Sequence, residues 1–110
     1  MNNKYKRIKG RKLQILLRDK LLKAFKHLKK SDVEISGNGE IGADIKLSRI
    51  AKRLIPFQFE AKSQQKFRTL YKFFSQCEGH GNLESVLVIK SNSRKPLAIV
   101  DLDTFIDLIK

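Results

Sequence analysis

The stretch Phe57-Gln58-Phe59-Glu60-Ala61-Lys62 places an apolar residue at every second position (Phe57, Phe59, Ala61), with Gln58, Glu60 and Lys62 between them. Alternation with a period of two predicts a half-buried strand and puts Glu60 and Lys62 on one face. Upstream, Gly42-Ala43-Asp44-Ile45 supplies an aspartate close to a glycine-bearing turn. An aspartate there, on a neighbouring strand, completes a compact group of two carboxylates and one ammonium. Such a group can hold a divalent metal and orient a water against a phosphodiester.

The chemistry sets the roles. Hard cations prefer oxygen ligands, so Asp44 and Glu60 are the candidate metal ligands, with the Ala61 carbonyl as a third. Cleavage also needs a positive group beside the attacking water and the scissile phosphate, to help deprotonate the one and offset charge on the other. Lys62 is the candidate for that task. The competing reading is a solvent-exposed ion pair in a lysine-rich chain, and Asp44-Ile45-Lys46 is a second acid-x-Lys triplet. Of the five glutamates, however, only Glu60 has a lysine two residues later. Phe57 and Phe59 also embed it in a credible sheet strand, so the Glu60 triplet is preferred.

Composition agrees with an acidic site in a basic protein. The 110 residues carry 24 Lys and Arg against 11 Asp and Glu, a net charge of +13. A surplus of that size favours a polyanionic partner, and nucleic acid is the commonest soluble one. Apolar residues make up 41% of the chain, enough for one modest core, so one domain is expected over residues 10–110. Cys77 is the only cysteine, which excludes an intrachain disulfide and fits a reducing, intracellular location, the cytoplasm. Cys77 and His80 alone make a poor zinc site, and a buried thiol at a helix end is the preferred reading. No apolar run reaches membrane-spanning length, and the charges at Arg18, Asp19 and Lys20 interrupt the apolar stretch 13–17 too early for a signal peptide.

Working outward from the Glu60 strand, residues 1–9 read as a flexible basic arm. Helical spacing of Leu13, Leu17, Leu21, Ala24, Phe25 and Leu28 predicts a first helix over about 10–30. Short strands follow over 33–36 and 41–47, separated by the turn signal Gly37-Asn38-Gly39. Ser48 is placed to cap a short helix that Pro56 stops. Ser63 is placed to cap a second long helix with Phe67, Leu70, Tyr71, Phe74 and Cys77 as its apolar stripe, so Tyr71 and Phe74 are assigned to the core. Phe73 lies off that stripe and is a candidate for a dimer or DNA contact. Apolar runs at 86–89 and 97–100 are of strand length, and Asp103 is the expected cap of a final helix. The order helix, three strands, helix, two strands and a short helix predicts an α/β fold, a mixed sheet flanked by helices.

The cations fall into three clusters: Lys4, Lys6, Arg7, Lys9, Arg11 and Lys12; then Arg49, Lys52 and Arg53; then a loop with Arg94 and Lys95. Lys66 stands at the start of the second long helix. A lysine face often serves only solubility, but clustering favours contact with phosphate backbones. Nothing suggests base-specific reading, so shape and phosphate spacing should govern recognition.

Lys9-Gly10 opening a helix, Asp44 after a glycine-rich turn, and Phe59-Glu60-Ala61-Lys62 running into Ser63-Gln64-Gln65-Lys66 together resemble the PD-(D/E)XK nuclease superfamily. Within it, the pattern is most similar to small Holliday junction resolvases of archaeal and phage type. The resemblance implies a restriction-endonuclease-like αβββαβ core and a homodimer that cuts branched DNA with magnesium, for which manganese can substitute, and without a small-molecule cofactor. It places Asp44, Glu60 and Lys62 on the catalytic positions. The family's first helix often supplies another acid, and here that position holds Gln14; Glu40, Asp19 or Gln76 are accessory candidates. Compact size and the resemblance together suggest a phage or mobile-element origin. Two other classes stay open: a nicking or repair nuclease or exonuclease subunit of the same fold acting on duplex DNA, and a non-catalytic basic nucleic-acid-binding protein.

Overall fold

A computed structural model describes residues 3–37 and 42–110. Among these the chain is mixed α and β, with four α-helices and two separate two-stranded antiparallel sheets. It divides into two compact units, residues 1–63 with 109–110 and residues 64–108, where one domain over 10–110 is expected from the sequence.

The first unit opens with α1 (Asn3–Ala24), so Lys4, Lys6, Arg7 and Lys9 stand on a helix and not on a flexible arm. The physical reason is local. Lysine and arginine are good helix formers, and the Lys9 ammonium lies 4.9 Å from the centre of the Tyr5 ring one turn back. Such an exposed cation–π contact contributes about 0.5–1 kcal/mol. The helix also ends earlier than expected, at Ala24, and the turn closed by the Leu28 N–H on the Phe25 carbonyl carries Leu28 into the core.

A 3-10 turn (Lys30–Asp32) leads into β1 (Val33–Ile35), which pairs with β2 (Ile45–Leu47). The register sets Val33 against Leu47, Glu34 against Lys46 and Ile35 against Ile45. One face is therefore apolar and meets α1, while Glu34 and Lys46 stand opposite each other on the exposed face. The core of this unit comprises Leu17 and Leu21 from α1, Leu28, Val33, Ile45, Ala51 and Ile55.

Helix α2 (Arg49–Leu54) is capped by Ser48, as expected: the Ser48 hydroxyl accepts the Ala51 N–H at 3.1 Å. That hydroxyl donates in turn to the Asp32 carboxylate at 2.7 Å, and the Ser48 N–H donates to the Asp32 carbonyl. Two hydrogen bonds thus lock the start of α2 to the entry of β1. The helix stops as Ile55 closes its last turn and Pro56 offers no N–H to continue it.

Residues 57–62 do not form a strand in either sheet, a correction to the expected single mixed sheet. The expected alternation holds in part: Phe59 and Ala61 are half-buried and Gln58, Glu60 and Lys62 exposed, but Phe57 is exposed as well. What is missing is the ladder. The main-chain bond found here runs from the Asp44 N–H to the Phe59 carbonyl, and the Ala61 N–H is taken by the Asp44 side chain instead of a main-chain carbonyl.

The second unit contains a 3-10 turn (Gln65–Phe67), α3 (Arg68–Glu78), β3 (Leu87–Ile89), β4 (Leu97–Ile99) and most of α4 (Leu102–Ile109). The 3-10 turn replaces the expected Ser63 cap, and α3 starts without a side-chain cap. Phe67, Leu70, Phe74 and Cys77 form its half-buried stripe, but Tyr71 is 73% exposed and is not a core residue. Its ring instead lines a shallow apolar groove with Leu70, Ile99 and Leu102. Strands β3 and β4 form a hairpin whose loop turns through an Arg94 N–H bond to the Ser91 carbonyl, with Ser93 at φ 60°. Asp101, not Asp103, caps α4, its carboxylate accepting the Thr104 N–H at 2.9 Å. Among the described residues no helix is long and apolar enough to cross a membrane.

Candidate active site

Asp44 is held from three directions. Its N–H donates to the Phe59 carbonyl at 2.9 Å, its carbonyl accepts the Ser36 N–H at 2.9 Å, and its carboxylate accepts the Ala61 N–H at 2.7 Å. The first and third bonds reach the residues on either side of Glu60, which sets Glu60 level with Asp44. Asp44 is thus tied to the segment that carries Glu60 by one main-chain bond and one bond from its side chain. The bond to Ala61 is charge-assisted, a class shorter and stronger than neutral hydrogen bonds.

The approach to Asp44 requires Gly42. Its φ of 111° lies where a side chain is strained, although no atom stands within 4 Å of the position a Cβ would take. The glycine is needed for its backbone, not for space.

Ser36 is the supporting residue that the sequence reading did not single out. It is buried, and its hydroxyl donates to the Ala43 carbonyl at 2.6 Å while its N–H holds the Asp44 carbonyl. It therefore grips both residues of the Ala43-Asp44 step. Only its place at the end of a short apolar strand, just before a glycine turn, hinted at such a role. Arg11 reaches this cluster from α1 with a long bond of 3.5 Å to the Ser36 carbonyl, which makes it a support of the site as well as a candidate phosphate contact. Lys4, Arg7, Arg11, Gln14 and Arg18 recur at helical spacing along one stripe of α1. Gln14 is half-buried, one turn beyond Arg11.

Glu60 and Lys62 are exposed, and neither makes an ion pair or side-chain hydrogen bond with another described residue. Among the described residues no group of three or more His, Cys, Asp or Glu gathers as a metal site. Of the oxygens named as metal ligands, only the Asp44 carboxylate has a hydrogen-bond partner in this segment among the described residues, the Ala61 N–H. Of the accessory candidates, Glu40 lies outside the described residues, Asp19 pairs with Arg18 at 3.0 Å, and Gln76 is an exposed residue of α3 in the second unit.

The cations distribute by unit. The first carries Lys4, Lys6, Arg7, Lys9, Arg11 and Lys12 on α1 and Arg49, Lys52 and Arg53 on α2, where positions 49, 52 and 53 share a face. The second carries Lys66 beside Arg68 and Lys72 in a shallow depression at the start of α3, and Arg94 and Lys95 in the hairpin loop. Arg68 and Lys72 were not expected from the sequence. Helical spacing around Lys66 was the signal that could have found them.

Beside Asp44 runs an open groove of about 730 Å³ between β2, α2 and residues 55–58. Comparison of the chain with family models, with curated proteins and with solved structures finds no match.

Proposed function

We propose that this protein is a magnesium-dependent endonuclease of branched DNA, a Holliday junction resolvase that makes paired nicks. The observation that carries this reading is the bracket around Glu60: the Asp44 N–H on the Phe59 carbonyl and the Asp44 carboxylate on the Ala61 N–H. It supports a shared oxygen site because it fixes one carboxylate beside the residue that bears the other.

The donor set suits magnesium, which is commonly held by one or two carboxylates with water and substrate phosphate completing its shell. Asp44, Glu60 and the Ala61 carbonyl would hold it, and manganese suits the same hard ligands. When bound, the ion acidifies a water and offsets charge on a phosphate oxygen. The chain's own residues do the rest. Lys62, two residues from Glu60, orients the attacking water by hydrogen bonding and offsets charge developing on the phosphate. The Ser36 and Ala61 bonds keep the Asp44 carboxylate in place between turnovers, so little reorganisation is needed. Cations on α1 and α2 bind the phosphate backbone, which makes binding fall steeply with salt.

Resolving a four-way junction requires two nicks, and one chain supplies one site, so a twofold homodimer is the simple arrangement. The test is magnesium-dependent nicking of a fixed four-way junction beside a matched linear duplex, with native mass measured alongside. Glu60→Gln and Lys62→Ala should each lower cleavage by roughly 10²–10³-fold or more while junction binding stays near the parent level. Both variants cutting like the parent would remove the proposed site. A junction bound but never cut, with either magnesium or manganese, would leave a non-catalytic DNA-binding protein.

A further inference from the structure

We infer that the groove beside Asp44 is the seat of an unpaired nucleotide, so that the strand entering the site does so single-stranded. This rests on the reading above only in taking DNA as the partner. The groove begins at Ala43, adjacent to Asp44, and its volume of about 730 Å³ falls in the range of pockets that take drug-sized ligands, roughly 300–1,000 Å³. That size admits a nucleotide.

Its lining has the two chemistries a nucleotide offers. Ile45 and Ile55 lie buried beneath it; the apolar surface it offers is Leu47, Pro56 and Phe57, and Phe57, 42% exposed, gives an aromatic face at its wall. Lys46 and Lys52 bring positive charge to the same groove, and Lys52 shares its face of α2 with Arg49 and Arg53. An aromatic ring can stack only on a base whose own face is open, and in a duplex both faces are already covered by neighbours. The cations suit the phosphates on either side of that base. A purely apolar partner would leave the Lys52 charge unmatched, and a purely anionic one would leave the apolar wall unused. A base joined to phosphate meets both.

The test measures binding without metal, so that it is independent of cleavage. The probes are a fluorescent oligothymidylate, the abasic oligomer of equal length, and a duplex, each titrated into the full chain. Phe57→Ala should weaken oligothymidylate binding by about 5- to 150-fold, the loss of one base–aromatic stack, with little effect on the abasic strand or the duplex. Phe57→Tyr should restore parent binding, because the ring is retained. Lys52→Ala should weaken all three probes and reduce the salt slope. Equal oligothymidylate binding by Phe57→Ala and the parent would overturn the inference, as would an equal loss on the abasic strand. Failure of Glu60→Gln to stop cleavage would strike the active-site reading and leave this result standing.

Discussion

Among the described residues of the first unit seven apolar ones are buried, Leu17, Leu21, Leu28, Val33, Ile45, Ala51 and Ile55, drawn from two helices, two strands and the turns beside them. In the second unit Ile106 alone is buried among the described residues, and Tyr71, Leu83, Val88 and Leu97 are all more than half exposed. Both units contain helices and an antiparallel pair of strands, so the difference is not in regular structure but in how much apolar surface it covers. A chemical site needs its groups held to fractions of an ångström by a packed frame. Asp44 has one, because Ile45 follows it directly into the core and buried Ser36, just after β1, grips it. The hairpin of the second unit has hydrogen bonds but few fully covered side chains, the composition of a region that opens locally at low free energy.

The largest expected contrast is a core truncation in each unit. Leu21→Ala removes a fully buried side chain and should cost about 2–5 kcal/mol. Leu70→Ala in α3 removes a half-buried one and should cost roughly 1 kcal/mol, since the area returned to water is smaller. Denaturant unfolding of both variants measures the pair. Equal losses would break the comparison, for they would mean that α3 is covered as completely as α1.

A smaller effect sits at Gly42. Gly42→Ala should cost about 1–3 kcal/mol, the strain of a non-glycine residue at that φ, even though space is open around it. The same variant should weaken manganese binding, read by isothermal titration, because Asp44 lies two residues on. Loss of stability with unchanged metal affinity would separate the turn from the site.

How much of this was legible in the sequence depends on whether the signal was local. The Ser48 cap, the stop at Pro56 and the two strand-length runs that become β3 and β4 follow from adjacent residues, and the structure has them where the pattern puts them. Phe59 and Ala61 turn inward as the alternation predicts, but Phe57 is exposed and the segment joins neither sheet, its Ala61 N–H going to the Asp44 carboxylate. A period of two reports which side chains face the protein and is silent on what accepts the N–H groups. The Asp44–Ala61 bond joins residues 17 apart, and no local pattern encodes it. Tyr71 was misplaced for a related reason: helical spacing gives a stripe, but only the neighbouring element decides how wide a stripe is covered.

Cap substitutions should act alike in the two units, which sharpens the contrast with the core. Ser48→Ala deletes the acceptor of the Ala51 N–H, and Asp101→Ala deletes the acceptor of the Thr104 N–H. Each should cost about 1 kcal/mol, because a cap satisfies one orphan donor whatever the packing behind it. Thermal unfolding of the two variants checks this. A much larger loss for Ser48→Ala would assign the excess to its second bond, the one to Asp32.

The subtlest test concerns that bond. The Lys29 N–H and then the Ser48 hydroxyl both donate to the Asp32 carboxylate and hold its pKa below the ordinary aspartate value. Both donors favour the charged form, so the folded pKa is depressed relative to the unfolded chain. The resulting stabilisation is present in full above the unfolded aspartate pKa and fades as pH falls through the folded one. Asp32→Asn cannot titrate. Its thermal midpoint should lie below the parent's by a constant amount near neutral pH, and the gap should close as acid protonates the parent's Asp32. The Asp101 cap gives the control: it serves α4 in the second unit, so Asp101→Asn should leave the α2 amides' hydrogen-exchange protection unaltered, whereas Asp32→Asn should reduce it. A gap between parent and Asp32→Asn that stays constant down to the acid transition would mean that the carboxylate's charge adds nothing to the latch, and that α2 is held by Ser48 and Ala51 alone.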